Sequence, residues 1–371
     1  MAAAQDLLAG LRRPIIGAPM AGGPSSPELV AAVSGAGGLG MLAAGYLAPD
    51  AFAAQIERAR ELAGSAPIGA NLFVPARANI AEPDWERDLA ARAWEGEAFA
   101  QELAETEAPE GMFGPEPIDR DELGEVDARD DDGWDAKLSA LEERPVELVS
   151  VTFGCPDRAA IDRLRATGAV VAVTCTDELE ALRAISQGAD ALVAQGAAAG
   201  GHRGTHRLAK RPNDRSAAEL VERLLPLAGG RPVIAAGGIA RRREARALLE
   251  AGAAAVQVGT ALLLADEAGT NAVHRAALAD DAFDETALTR AYSGRWARGL
   301  RTEFMDRHPD APAAYPELNQ LTGPLKAAAK SRGDAQRLHL WAGEGWRRSR
   351  AEPAAAIVER LDPATGRADG R

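Results

Sequence analysis

Short apolar runs that alternate with helical segments constrain the fold of this 371-residue chain more than any other feature of its sequence. Nearly continuous apolar runs of this kind are typical of strands that are buried on both faces of a parallel sheet. The runs are PIIGAP (14–19), GLGML (38–42), PIGANLF (67–73), ELVSVTF (147–153), VVAVT (170–174), ALVAQ (191–195), PVIAAGG (232–238) and AVQVGT (255–260). Eight is the number of strands that closes a (β/α)8 TIM barrel, so we predict this α/β fold in preference to an open doubly wound sheet.

Helical periodicity fills the intervals between these strands, and Asp50 is predicted to cap the second helix. The predicted helices are 26–34, 50–62, 82–105, 135–143, 156–167, 177–187, 216–227, 240–251, 271–279 and 284–291. GAGGLG (35–40) matches the glycine pattern of dinucleotide-binding folds, but it follows a helix and precedes a strand, which is the reverse of the required order. We interpret it as a tight turn with a glycine at the end of the helix.

Two segments do not fit the repeat and divide the chain. Residues 1–73 and 146–270 are predicted to form the barrel, and residues 74–145 an acidic helical insertion between strands three and four, near the barrel mouth. Its most charged part, DARDDDGWD (127–135), is interpreted as a loose loop, either next to the site or on a solvated surface. Residues 271–362 are predicted to be a C-terminal helical extension that completes the substrate pocket, and residues 363–371 a disordered tail.

The charge of the chain excludes several classes of partner. A net charge of −13 argues against nucleic acid and against anionic membrane surfaces. No apolar run is long enough to cross a bilayer, and the two cysteines show no metal-binding spacing. We therefore expect a cytoplasmic protein without a metal site. As a separate expectation, the protein is either a monomer or a homodimer.

Polar and glycine residues follow the strands at the points where they end. In a barrel these carboxyl ends converge on one mouth, where active sites of this fold lie. Gly237–Gly238 and Gly259–Thr260 follow the last two strands and offer backbone N–H groups and a hydroxyl to a phosphate. Asn71 and Gln195 can donate and accept hydrogen bonds, which suits the polar edge of a flavin ring. Other residues at strand ends are Ala18, Pro19, Met20 and Thr174.

The segment QGAAAGGHRGTH (195–206) is the strongest local signal for function. It leads from a buried strand into a glycine-rich loop that carries His202 between Gly201 and Arg203. Glycines let backbone N–H groups approach a ligand closely, and an imidazole placed there can exchange protons near neutral pH. The nearby His206 is expected to face solvent.

Taken together, these residues resemble the nitronate monooxygenase family, formerly called 2-nitropropane dioxygenases, and in particular its bacterial class I branch. The matching strings span residues 14–345: PIIGAPMAGG, GANLFVP, VTFGCP, AQGAAAGGHRG, RPVIAAGGIA, GAAAVQVGTALL, TRAYSGRWARGL, YPELNQLT and LWAGEG. The GGHRG loop and the YPELNQLT segment are the specific signals, whereas the glycine pairs are shared with many FMN barrels.

The resemblance implies a barrel that holds FMN non-covalently and oxidises alkyl nitronates similar to propionate 3-nitronate with O2, releasing a carbonyl compound and nitrite. It implies that His202 is the catalytic residue, and that Tyr315 and Lys326 are candidates either for the substrate pocket or for packing at its rim. The FMN contacts that it implies are Ala18, Pro19, Met20, Asn71, Thr174, Gln195, Gly200, Gly201, Gly237, Gly238, Gly259 and Thr260.

Three positions depart from the family pattern and bear on substrate preference. Cys155 replaces an apolar or small residue and is interpreted as a passive side chain rather than a nucleophile, Phe99 stands where relatives place a tyrosine, and Glu344 stands where glutamine is expected. Two other functions on the same barrel remain open, an FMN-dependent enoyl-[acyl carrier protein] reductase and an NAD(P)H:quinone reductase. A flavin-binding sensory protein without turnover is a further alternative.

Overall fold

The computed structural model describes residues 2–79, 82–106 and 123–364, and it contains the predicted TIM barrel. Its strands are β1 (Ile15–Gly17), β2 (Gly40–Ala43), β3 (Ile68–Phe73), β4 (Leu148–Thr152), β5 (Val170–Cys175), β6 (Ala191–Gln195), β7 (Gly201–His202), β8 (Val233–Ala236), β9 (Ala255–Val258), β10 (Thr286–Thr289) and β11 (Ala297–Leu300). Eight of them pair in parallel in the order β1-β9-β8-β6-β5-β4-β3-β2. Gly17 N donates to Leu39 O (2.8 Å) and Leu39 N to Ile15 O (3.0 Å), which closes the barrel between β1 and β2.

Helices surround the barrel, and those that connect its strands agree closely with the predicted ones. They are α1 (Ala2–Ala9), α2 (Pro27–Gly35), α3 (Pro49–Ala63), α4 (Glu82–Thr106), α5 (Trp134–Glu143), α6 (Arg158–Ala166), α7 (Glu178–Gln187), α8 (Ala217–Leu224), α9 (Arg242–Glu250), α10 (Ala272–Leu278), α11 (Glu303–Arg307), α12 (Glu317–Leu321), α13 (Gly323–Arg332) and α14 (Ala354–Leu361). Among the described residues, no helix is long and apolar enough to cross a membrane.

Local sequence explains where these helices begin and end. The side chains of Ser26, Asp157 and Asp177 accept hydrogen bonds from backbone N–H groups in the first turns of α2, α6 and α7. The prediction that Asp50 caps its helix is wrong. Ala48 occupies the capping position, because Pro49, which has no N–H to satisfy, fits the first helical position.

The interior of the barrel forms its own apolar layer, separate from the larger core between strands and outer helices. Side chains from alternate strand positions, such as Ile16, Leu148 and Val170, fill it. Ala4 and Leu8 of α1 pack against this layer and are buried. Helix α1, which the sequence analysis did not predict, therefore lies against the apolar filling of the barrel.

The chain beyond the barrel adds a second sheet over its mouth. Strands β10, β11 and β7 form an antiparallel sheet, in which Ala297 pairs with His202. The predicted helix at 284–291 is wrong, because β10 lies within that range. Four residues of β10 pair with β11, and this non-local ladder outweighs local helical preference.

The described part of the acidic insertion contains α4, α5 and a non-helical stretch at 123–133, and it contacts the extension. Arg92 of α4 donates to Glu317 of α12, a buried pair with an N–O distance of 2.5 Å. The domain boundaries given above remain a prediction, and the predicted disordered tail lies outside the described residues from position 365 onward.

Replacing Leu8 by alanine is expected to lower the free energy of unfolding by about 3 kcal/mol, since a buried leucine leaves a cavity in the barrel filling. Urea unfolding measures this change. The matched control is Leu7→Ala. Leu7 is only partly buried against the same layer, so its substitution should lower the free energy of unfolding by less. Equal losses in the two variants would show that α1 is not anchored through Leu8.

Candidate active site

A cavity of about 490 Å³ opens at the carboxyl ends of the barrel strands. It is walled by the strand ends and by residues of the extension, including Tyr292, Ser293 and Trp341. Every residue predicted to bind the cofactor lies in this wall, together with His202 and Lys326. These cofactor positions are Ala18, Pro19, Met20, Asn71, Thr174, Gln195, Gly200, Gly201, Gly237, Gly238, Gly259 and Thr260. Tyr315 lies one layer behind the wall, with its ring centre 5.5 Å from that of Phe153.

Glycines at one end of the cavity allow backbone groups to come close to its contents. Gly237 and Gly238 have φ values of 105° and 77°, a region that other residues rarely adopt. A Cβ atom at Gly200 would lie 2.4 Å from the backbone nitrogen of Gly343. The loop around Gly343 is tied to the barrel, because Gly343 N donates to the Thr260 hydroxyl at 2.9 Å.

Gln195 fixes the glycine-rich loop in place. Its side-chain nitrogen donates to the carbonyl of His202 (3.0 Å), and its side-chain oxygen accepts from Gly204 N (2.7 Å). Arg203, which is buried, donates to the carbonyl of Gly196 at 2.6 Å. Gln195 thus combines a place in the cavity wall with a role that the sequence analysis did not foresee, that of orienting the loop that carries His202.

The imidazole of His202 lies within the cavity wall, held by neighbours from distant parts of the chain. Its Nε2 atom is 2.8 Å from the hydroxyl of Ser293. The rings of Phe153 and Trp341 flank it at 5.5 and 5.4 Å between centres. Ser293 lies in the TRAYSGRWARGL string, but no spacing in the sequence connects it with His202.

A chain of amide and hydroxyl groups crosses the floor of the cavity. The Asn71 amide donates to the hydroxyls of Ser150 (2.7 Å) and Thr152 (3.1 Å). The hydroxyls of Thr152 and Thr174 are 3.3 Å apart. This chain fixes the orientation of the Asn71 side chain. Ser150 and Thr152 were missed in the sequence, where they appear only as polar residues within an apolar strand.

The charges around the cavity favour an anion. Burial, together with the cations Arg295 and Lys326, lowers the pKa of His202 to about 3, so its imidazole is neutral at physiological pH. Burial also lowers the pKa of Lys326 to about 7. Among the described residues, no Asp or Glu lines the cavity, although the chain has 55 of them. An anion that enters therefore meets cations without competing carboxylates.

Two expectations about individual side chains are corrected or clarified here. His206 does not face solvent: it is buried, with Nε2 at 2.9 Å from the carbonyl of Thr174, and its backbone N–H donates to the carboxylate of Glu180. Cys155 is buried, and burial raises the pKa of its thiol to about 11, which disfavours the nucleophilic thiolate.

The two other unusual positions lie apart from the imidazole. Phe99 packs edge-on against His308, with ring centres 5.5 Å apart, and is not among the residues that line the cavity. Glu344 is paired with Arg298 at 3.3 Å and its side chain is half exposed.

Comparisons with known proteins agree with this geometry. The family model described as "Nitronate monooxygenase" matches residues 5–363. A nitronate monooxygenase of Pseudomonas aeruginosa is 40% identical, covering 95% of this chain and 96% of its own length. A probable nitronate monooxygenase of Bacillus subtilis is 33% identical over 91% of each chain.

Solved structures give a similar result. A nitroalkane oxidase from Streptomyces ansochromogenes superposes with a TM-score of 0.83 at 44% identity, covering 96% of this chain and 97% of its own. FabK from Thermotoga maritima superposes with a TM-score of 0.67 at 24% identity, covering 96% and 93%. The second likeness shows the shared fold alone.

Stability is expected to fall as the pH drops below about 6.5. Burial lowers the pKa of four of the five histidines, His202, His206, His274 and His339. As the pH falls, protons therefore bind these histidines in the unfolded chain before they bind them in the folded chain. Each such histidine lowers the free energy of unfolding by about 1.4 kcal/mol per pH unit between its unfolded-state and folded-state pKa values. Urea unfolding between pH 7.5 and 5 measures the slope. His274→Asn should flatten it, and an unchanged slope in that variant would contradict the argument.

Proposed function

The chain belongs to the nitronate monooxygenase family, and we propose that it is an FMN-dependent oxidoreductase that converts alkyl nitronates and O2 into a carbonyl compound and nitrite. The observation that carries the proposal is the cavity itself, where the neutral imidazole of His202 and the amine of Lys326 line a described wall without carboxylates. The buried guanidinium of Arg295 lies against the Phe153 ring of that wall. A nitronate is a small anion whose charge lies on the nitro oxygens, so it fits these electrostatics. A carboxylate-bearing nitronate similar to propionate 3-nitronate is the substrate type we expect.

The residues of the wall fit FMN. The Oε1 atom of Gln257 is buried in the wall and has no hydrogen-bond partner among the described residues, as expected for a group that a bound hydroxyl would satisfy. The glycine at 237 lets the backbone lie close to the loop at Ala199, since a Cβ there would lie 3.0 Å from Ala199 N, and the N–H groups of the 237–238 pair would be open to a phosphate. Gly259 and Thr260 would complete the phosphate end, and Asn71 would face the polar ring edge.

The remaining FMN contacts are inferred from where these residues lie in the cavity wall. Ala18, Pro19 and Met20 would offer an apolar surface to the flat ring, and Thr174, Gln195, Gly200 and Gly201 would line its other sides. Bound FMN would supply electron acceptance and the reaction with O2, which no side chain of the chain can perform.

The chain's own residues would bind and orient the substrate. The neutral His202 offers a ring nitrogen for a hydrogen bond to a nitro oxygen, with Ser293 fixing the ring through the 2.8 Å contact. An anion near Lys326 favours its charged form and so raises its pKa above about 7. A pKa of about 3 makes His202 a weak base. The site therefore favours a substrate that arrives as a nitronate over a neutral nitroalkane that must first lose its α-proton.

His202→Asn is expected to retain FMN and to lower kcat/KM for nitrite release from ethylnitronate by about 10- to 100-fold, the worth of a hydrogen bond to a charged group. Colorimetric nitrite detection measures turnover, and flavin absorbance measures FMN content. Unchanged turnover in this variant would contradict the role of His202. Rapid NADH oxidation coupled to reduction of a crotonyl thioester or of a quinone, without nitrite release, would favour the two alternative functions.

Gly237→Val is expected to weaken FMN binding at least 10-fold, because its side chain would meet Ala199 within the phosphate end of the cavity. Fluorescence titration of the apoprotein with FMN measures the affinity. Gly230→Val is the matched control: Gly230 also has a positive φ, 82°, but it has open space around it and lies outside the cavity. Equal FMN affinity in both variants would show that the phosphate lies elsewhere.

A further inference from the structure

Backbone strain is concentrated at one corner of the cavity. Among the described residues, the non-glycine positions with positive φ are Tyr46 (68°), Asp132 (59°) and Phe153 (75°). Tyr46 and Phe153 line the cavity, and Tyr46 N donates to Asp132 Oδ1 at 2.9 Å. These residues are far apart in sequence, yet all three disfavoured conformations belong to one structural unit. Such conformations persist only where the surroundings fix them, and they cluster at functional sites.

Tyr46 begins a continuous set of aromatic contacts that reaches His202. We call Tyr46, Phe73, Phe153 and Tyr315 the aromatic wall. Ring centres are 5.3 Å apart for Tyr46 and Phe73, 4.5 Å for Phe73 and Phe153, and 5.5 Å for Phe153 and His202. The hydroxyls of Tyr46 and Tyr315 also lie near enough for each to affect the pKa of the other. A displacement of Tyr46 would therefore be transmitted to the surface next to the imidazole.

The acidic insertion fixes Tyr46 from behind. Asp132 accepts the Tyr46 N–H with Oδ1 and pairs through Oδ2 with Lys137 Nζ at 2.7 Å. The Lys137 side chain is only 2% exposed, which is unusual for a lysine. Both carboxylate oxygens are thus committed, one to the backbone of Tyr46 and one to a cation at the start of α5. The pair fixes this geometry, because removing Asp132 would leave the buried ammonium of Lys137 without its counter-charge.

The neighbouring carboxylates of the acidic loop do not share this arrangement. Asp131 accepts a hydrogen bond from the backbone N–H of Gly133, within the loop itself. Asp130 accepts hydrogen bonds from Asp132 N and from the side chain of Gln320, neither of which lines the cavity. Asp132 is therefore the acidic residue that links the loop to the cavity.

We propose that Asp132 and Lys137 are positioning residues of the active site, which hold Tyr46 and through it the aromatic wall against which His202 and the substrate lie. The acidic loop is then part of the site rather than a solvated surface excursion. The structural claim stands independently, whereas its effect on turnover rests on the proposed function.

Fluorine NMR of the protein labelled with 3-fluorotyrosine tests the structural claim without any activity. The chain has three tyrosines, Tyr46, Tyr292 and Tyr315, so each signal can be assigned by a Tyr→Phe variant. Asp132→Ala should shift the signals of Tyr46 and Tyr315 and leave that of Tyr292, whose hydroxyl contacts Thr302 instead. Asp131→Ala is the matched control and should shift none. Unchanged Tyr46 and Tyr315 signals in Asp132→Ala would overturn the proposal.

Two further variants keep the test decisive if Asp132→Ala folds poorly. Asp132→Asn and Lys137→Met each break the ion pair, the first by removing the negative charge and the second by removing the cation, so each should shift the Tyr46 signal more than Asp131→Ala does. Unchanged Tyr46 signals in both variants would show that the ion pair does not position Tyr46.

A double-mutant cycle tests the effect on turnover. Asp132→Ala and Tyr46→Phe should each raise KM for ethylnitronate several-fold. The KM of the double variant should not exceed that of the more strongly affected single variant, because both substitutions act on the same aromatic wall. Additive losses, or unchanged KM in both single variants, would overturn the positioning role. Absence of nitrite release from the unaltered protein would instead overturn the proposed function and leave the NMR result standing.

Discussion

Closure of the barrel between β1 and β2 is the constraint on which the rest of the structure depends. These strands share only a few hydrogen bonds, around Leu39, but the pairing completes a ring of eight parallel strands. Once the ring is closed, the carboxyl ends of all strands share one rim, and residues as distant as Ala18, Asn71 and Gly237 become neighbours. Without closure the same strand ends would lie along an open edge, and no single cavity would form.

The cavity is electrostatically unlike the molecule that surrounds it. The chain carries a net charge of −13, but its acidic residues lie outside the cavity wall in the described structure. The buried guanidinium of Arg295 lies 4.2 Å from the ring centre of Phe153 and donates to the carbonyl of Thr205, without a carboxylate partner among the described residues. Burial lowers the pKa of the nearby His202, the charge of Arg295 lowers it further, and the imidazole is therefore neutral.

Sequence reasoning predicted the parts of the site that follow from periodicity and topology. Strand ends can be located from apolar runs, so Asn71, Gln195 and the glycine pairs were found in advance. Ser293 and Tyr46 could not be found, since their places depend on how the second sheet and a left-handed turn pack over the mouth. The same reason explains the error at 284–291, where pairing with β11 decides the structure, and the error at His206, whose burial depends on Glu180. The sequence signals for the FMN contacts and for the catalytic role of His202 remain predictions.

Lys326, which lies in the extension, links the charge of a molecule in the cavity to the protonation of its own amine. The Lys326 ammonium donates to the carbonyls of Tyr292 (3.2 Å) and Asn319 (3.0 Å) and to the side-chain oxygen of Asn319 (2.9 Å), all of them neutral acceptors. These bonds orient the amine but do not neutralise it, and burial therefore lowers its pKa to about 7. An anion in the cavity supplies the missing counter-charge, so anion binding and proton uptake at Lys326 favour each other. Under the proposed function, the barrel would offer a surface for the cofactor, while the extension would select the charge of the molecule that reaches it.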